Sequence, residues 1–291
     1  MELLKLWASE GAQSGWLLES FSYAFMVNAL LAALLLGPLL GGLGTLVIAK
    51  RLAFFSEAVG HAALTGIAIG VLLGEPAENP IIGLFCFCML FALLLHFVRN
   101  RTAVPYDTLV GVFLAVALAG GAALLMYVAR KINIHMLENV LFGSILTITD
   151  FDLWVLAVSC LLIIVTLIFT FNRILLASIS PDIARVRGHH THFYDYLFVM
   201  MITLVTIAAV KIVGAVLVGA LLLIPGATAR LLTKNMGSFV LLSSLLATVS
   251  CLLGTLLPME LALPIPSGAS IILVAASFFL IATLYRIVGK S

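Results

Sequence analysis

Nine stretches of the chain run for about 20 residues each almost without charge, long enough for a helix to cross the hydrocarbon core of a bilayer. They fall at roughly 22–49, 53–73, 80–98, 108–129, 153–171, 194–211, 213–229, 238–257 and 268–285. Backbone N–H and C=O groups cannot stay unpaired in hydrocarbon, so only helices or a closed barrel can span it. The runs are continuously apolar, without the ten-residue alternation of barrel strands, and this predicts an all-α polytopic membrane protein. Composition agrees: 63% of the residues are hydrophobic and 10% charged, with mean hydropathy +1.25, where a soluble domain carries about 25% charged residues.

The pattern leaves no polar segment long enough for a soluble domain. Residues 1–21, with Glu2, Lys5, Trp7, Glu10, Trp16 and Glu19, lack the basic start and small-residue cleavage site of a signal peptide and are expected to form an interfacial segment. Residues 22–291 are expected to be one transmembrane domain. A net charge of +2 with no basic run gives no reason to expect a nucleic-acid partner. The four cysteines lie within apolar runs and are expected to be buried structural thiols. Cys86 and Cys88 point roughly 200° apart on a helix and cannot share a ligand.

Positive charge orients the spans. With the N-terminus outside, eleven of the fifteen lysines and arginines fall on the cytoplasmic side, among them Lys50, Arg51, Arg99, Arg101, Arg185 and Arg187. Lys5, Arg130, Lys131 and Lys211 fall outside. Nine spans with a cytoplasmic C-terminus follow. An eight-span alternative merges or shortens the 194–229 region, where Lys211 alone divides a long apolar run. Between spans, residues 130–152 are expected to be an external connection, and residues 172–193 a cytoplasmic segment. The latter holds a short helix that starts at Pro181 and stops at Gly188.

Glu57 and His61 carry the most chemical information. At i, i+4 on the second span they share one helical face with Thr65, beside the small Ser56 and Gly60. Counted from Leu52, His61 lies roughly 13 Å into the span, where ionisable side chains are costly and mark functional sites by default. A carboxylate and an imidazole suit zinc, manganese or iron. The bland alternative is a hydrogen-bonded pair that holds two helices together.

Other candidates are weaker. Gly289-Lys290-Ser291 imitates the end of a nucleotide-binding loop, but Leu284 stands where the first glycine is needed and no strand precedes it, so ATP, if it is used at all, must be handled by another chain. His189, His190 and His192 are expected to be solvated loop histidines, with a regulatory metal site as the alternative. External His135 and Glu138 are a lone pair. Asp150 and Asp152 signal the start of a helix. Gly37, Gly41, Gly42 and Gly44 permit close helix approach. Pro225 and Gly226 are expected to break their helix.

The stretches KRLAFFSEAVGHAALTGIAIG, PYDTLVGVFLA, ENVLFGSILTIT, DIARVRGHHTHFYDYLF, VGALLLIPGATARLL and PSGASIILVAASFF, taken in this order, resemble the permease subunits of ATP-binding cassette (ABC) importers for zinc, manganese and iron. The resemblance implies a cobalamin-importer-like type II fold, a twofold dimer of permeases, a cytoplasmic pair of ABC ATPases and an extracytoplasmic metal-binding protein. It implies a multi-pass protein of a prokaryotic inner (plasma) membrane that is not itself an enzyme. No cofactor is held permanently, and the divalent metal is cargo. The family's acidic-x-x-x-His pair falls on Glu57 and His61, with Glu57 where many relatives have Asp. Its coupling helix falls around Asp182, Ala184, Arg185 and Gly188. A secondary, ion-coupled metal transporter is the alternative; it would show coupling-ion carboxylates within its spans and needs no docking helix.

Overall fold

A computed structural model describes residues 23–76, 80–102, 104–128, 148–188, 190–261 and 265–288. The interfacial segment expected at 1–21, His135, Glu138 and His189 lie outside them. The described residues form ten helices: α1 (Ala24–Ala49), α2 (Phe55–Leu72), α3 (Ile81–Arg101), α4 (Tyr106–Val128), α5 (Asp150–Ile179), α6 (Pro181–Val186), α7 (Thr191–Val213), α8 (Ala215–Leu232), α9 (Met236–Glu260) and α10 (Ser267–Val288). All but α6 are long and apolar enough to cross a membrane, which favours nine spans over eight.

Two layers of burial organise the bundle. The α2 span is 78% buried and that of α10 only 17%, so α2 is a core helix and α10 a peripheral one. The core is built where side chains are smallest. Any Cβ on Gly37, Gly41 or Gly44 of α1 would strike the backbone of Thr248, Ser243 or Leu222, so α1 lies directly on α9 and α8. Ser243 Oγ donates to the Gly41 carbonyl (2.6 Å) and Ser244 Oγ to that of Pro38 (3.1 Å), sealing the same contact. Gly70 and Gly83 bring α2 onto α3 in the same way. Without a hydrophobic drive between helices in lipid, such close backbone approach supplies the packing energy.

Several expectations about boundaries need correction. The break in the 194–229 region is at Gly214, whose φ of +84° a side chain would not tolerate, while Lys211 lies inside α7. The α8 helix continues through Pro225, with Gly44 and Ile48 of α1 packed over Leu222 and Gly226; neighbours cover the disrupted turn, so it need not open. Residues 172–179 complete α5, which at 30 residues is about 45 Å long and outruns the hydrocarbon core. The short helix starts at Pro181 as expected but ends at Val186, six residues in all, and Gly188 at φ +75° turns the chain toward α7. Thr149 and Asp152 form the capping box that starts α5. Cys88, Cys160 and Cys251 are buried, but Cys86 is exposed, on the opposite side of α3.

Lys50, Arg99, Arg101, Arg173 and α6 gather at one end of the bundle, called here the basic end. Ties at this end are numerous. Lys50 Nζ meets Asp195 Oδ1 at 2.5 Å and lies 5.3 Å from the Phe198 ring centroid. Arg173 donates to the Tyr194 hydroxyl (3.1 Å), and Arg99 covers the Tyr106 ring.

Candidate functional site

The tight turn from α1 to α2 sets the position of Glu57 and His61. Lys50, Arg51 and Leu52 donate to the carbonyls of Leu46, Ile48 and Val47. Arg51 takes a left-handed φ of +55°, uncommon outside glycine. Leu52 is buried, and α2 starts at Phe55. Glu57 thus sits in the first turn of its own helix. The position is covered all the same, because α8 packs over this part of α2. A Cβ on Gly219 of α8 would lie 3.9 Å from that of Glu57, and one on Gly60 would lie 3.2 Å from that of Ala215. Gly219 is about 20 Å from the basic end of α8 at 1.5 Å per residue.

Burial singles the pair out. From Phe55 to Ala68 of α2, Glu57 and His61 alone are not fully buried. With Phe54, which is 53% exposed, they line one open face at i, i+3 and i+7. Thr65 does not continue that opening: it is buried, donates to the Ala117 carbonyl (2.8 Å) and holds α2 against α4. His61 Nδ1 and Ser56 Oγ are buried polar atoms with no hydrogen-bond partner among the described residues. Cys88 Sγ faces the Val59 carbonyl at 3.8 Å, on the side of α2 toward α3. Among the described residues no three His, Cys, Asp or Glu side chains gather closely enough to hold a metal. The chain therefore offers two donors and an open face.

The short helix α6 divides its residues by exposure. Ala184 is fully buried against the bundle. Asp182 and Arg185 face outward and pair at 3.4 Å, with side chains 94% and 62% exposed. Ile183 and Val186, which sequence reading did not single out, are exposed apolar neighbours at 51% and 89%. Gly188 is exposed in the turn that follows. His190 and His192 are exposed around the start of α7, as expected of solvated loop histidines. A short signal for Ile183 and Val186 was present: with Ala184 turned inward, an i, i+3 pair on one turn must face out.

Comparison with known proteins converges on one kind of molecule. The family model described as "ABC 3 transport family" matches residues 22–286. The manganese import system permease protein ScaB of Streptococcus gordonii is 32% identical over 260 residues, covering 89% of this chain and 90% of ScaB. The manganese transport system membrane protein MntC of Listeria innocua is 30% identical over 263 residues, covering 90% and 91%. Among solved structures, PsaBC from Streptococcus pneumoniae in complex with Fab superposes with a TM-score of 0.79 at 29% identity, over 97% of this chain and 95% of that one. The helical architecture, the order of motifs and these full-length similarities together establish that the chain belongs to the ABC 3 transport family.

Proposed function

We propose that this permease of an ABC metal importer carries manganese(II), and that Glu57 and His61 are the ligands the ion meets partway across the membrane. The observation behind this reading is the Phe54–Glu57–His61 face, which stays open on a helix segment otherwise buried from Phe55 to Ala68. A carboxylate oxygen and an imidazole nitrogen without a thiolate suit manganese, the least thiophilic of the candidates, better than zinc. The manganese systems named for ScaB and MntC point the same way.

Two donors undercoordinate a dehydrated ion. A second copy of the chain, related by a twofold axis, brings two more and closes the pathway around four ligands. Such a site is transient by design, because a closed cage would trap the ion. The basic end faces the cytoplasm by the positive-inside rule. There the outward face of α6, with Asp182, Ile183, Arg185 and Val186, docks on an ATPase subunit, and an extracytoplasmic binding protein delivers the ion at the other end.

The test is isotope-traced uptake of manganese, iron and zinc by complexes shown to be assembled. Glu57→Ala and His61→Ala are each expected to lower manganese uptake at least about tenfold, the scale of losing one ligand or its support. Glu57→Asp keeps charge and ligand type and is expected to be milder. Wild-type transport by His61→Ala would return the pair to the role of helix glue. Preferential uptake of zinc or iron would overturn the choice of metal and leave the pathway standing.

A further inference from the structure

Three successive residues at the start of α7 bind three different elements. Tyr194 accepts a hydrogen bond from Arg173 of α5 (3.1 Å). Asp195 pairs with Lys50, the residue that caps α1 (2.5 Å). Tyr196 meets the His96 ring of α3 edge-on, with centroids 4.4 Å apart. An extended side chain on each of three consecutive positions points in three directions around a helix, each about 100° from the last, so a single turn of α7 reaches all three neighbours.

The Lys50–Asp195 pair has the placement that matters most. Lys50 is 8% exposed and Asp195 33%, so water screens the pair less than an exposed one. Lys50 opens the rigid turn whose next helix begins at Phe55 and carries Glu57 two residues on. On the other side, α6 packs chiefly on the end of α5 and the start of α7. Among the described residues, a push on α6 therefore enters the bundle chiefly through those two helix ends. Arg173 and Tyr194 lock these ends to each other. Lys50 and Asp195 then tie the α7 start to the turn that positions the metal ligands.

We propose that Tyr194, Asp195 and Tyr196 form a coupling latch, in which the Lys50–Asp195 ion pair transmits movement of α6 to the α1–α2 turn and thus to Glu57 and His61. Lys50 and Asp195 are positioning residues; neither touches the metal. The proposal deepens the docking role given to α6 and rests on it. When an ATPase moves α6, the latch moves α7 and the turn together as one body. Without the ion pair, α7 moves and the turn stays behind.

The experiment uses the complete importer, purified through a tag on the ATPase and reconstituted in vesicles with manganese and the binding protein. Its readout is metal imported per ATP hydrolysed. Asp195→Asn and Lys50→Met are each expected to keep hydrolysis and to lower that ratio about fivefold to tenfold, with the double variant no worse than either single one. The swap Lys50→Asp with Asp195→Lys is expected to restore most of the ratio and to rescue assembly if a single variant impairs it. An unchanged ratio overturns the latch. So does a proportional fall of hydrolysis and uptake, which is the mark of plain destabilisation, or a swap that stays uncoupled. Val186→Asp on the outer face of α6 separates the two ideas. If it leaves ATPase capture and uptake intact, the docking reading fails, whatever the latch variants do.

Discussion

A buried imidazole nitrogen without a hydrogen-bond partner among the described residues is expensive, about 1–3 kcal/mol for an unsatisfied polar atom. His61 Nδ1 is in that condition, as is Ser56 Oγ five residues earlier. The partly exposed remainder of the ring, not this nitrogen, is what faces the opening. The cost yields a prediction opposite to the usual one for a core substitution. His61→Leu removes the unpaired group and keeps an apolar side chain of similar bulk, a change that is near neutral or stabilising. The thermal midpoint of the assembled permease is expected to hold or rise while metal uptake is lost. A fall of several degrees would show that His61 holds the bundle together. Gly44 is the contrasting case at the same scale. A Cβ there would strike the Leu222 carbonyl, so Gly44→Ala is expected to destabilise by about 1–3 kcal/mol through overpacking, visible as a lower midpoint in the same assay.

At the scale of elements, the hydrophobic runs made the nine spans legible because the bilayer fixes their length independently of packing. The ends were less legible, and the reasons differ. The stop of α5 at Ile179 lies beyond the hydrocarbon, where apolarity no longer reports on helicity and only Pro181 does. Lys211 looked like a boundary because a charge in a run is the loudest sequence signal. The actual boundary, Gly214, is quiet in composition and is dictated by backbone geometry: φ +84° and ψ 156° belong to a region open essentially to glycine. Pro225 misled in the other direction. A proline breaks an isolated helix, but Gly44 and Ile48 of α1 hold α8 through it, and such tertiary cover cannot be read from a local window. The Gly214 turn also matters for the site, since it leads into Ala215, which lies against Gly60 beside His61. Gly214→Val is expected to cost about 1–3 kcal/mol and to reduce uptake more than its stability loss explains. Equal losses in the two measurements would reduce Gly214 to a plain connector.

For the whole molecule, the question is why the pair was legible while its completion was not. Glu57 and His61 declare themselves because charge at membrane depth is rare and their i, i+4 spacing puts both on one face. Among the described residues no third donor joins them, so the proposed site draws its further ligands from a second copy, which no window of one sequence can show. The open faces point to where that copy sits. On α2 the opening runs through Phe54, Glu57 and His61; on the adjoining α8, Val216, Ala220, Leu223 and Ala227 repeat at i, i+4, i+7 and i+11 with only partial burial. Together they give a partly exposed, mainly apolar surface around two donors, suited to packing against a second copy across a twofold axis. The peripheral side is different in kind: Leu273, Leu280 and Leu284 of α10 are large and about 60% exposed. Single cysteines in a background lacking Cys86, Cys88, Cys160 and Cys251 distinguish the two surfaces. Under mild oxidation in native membranes, Phe54→Cys or Val216→Cys is expected to give a permease dimer on non-reducing gels, because equivalent positions near a twofold axis approach within disulfide range. Leu280→Cys is expected to remain monomeric. The reverse pattern would move the interface to α10, leave Glu57 and His61 facing lipid or solvent alone, and require the other two ligands to come from elsewhere.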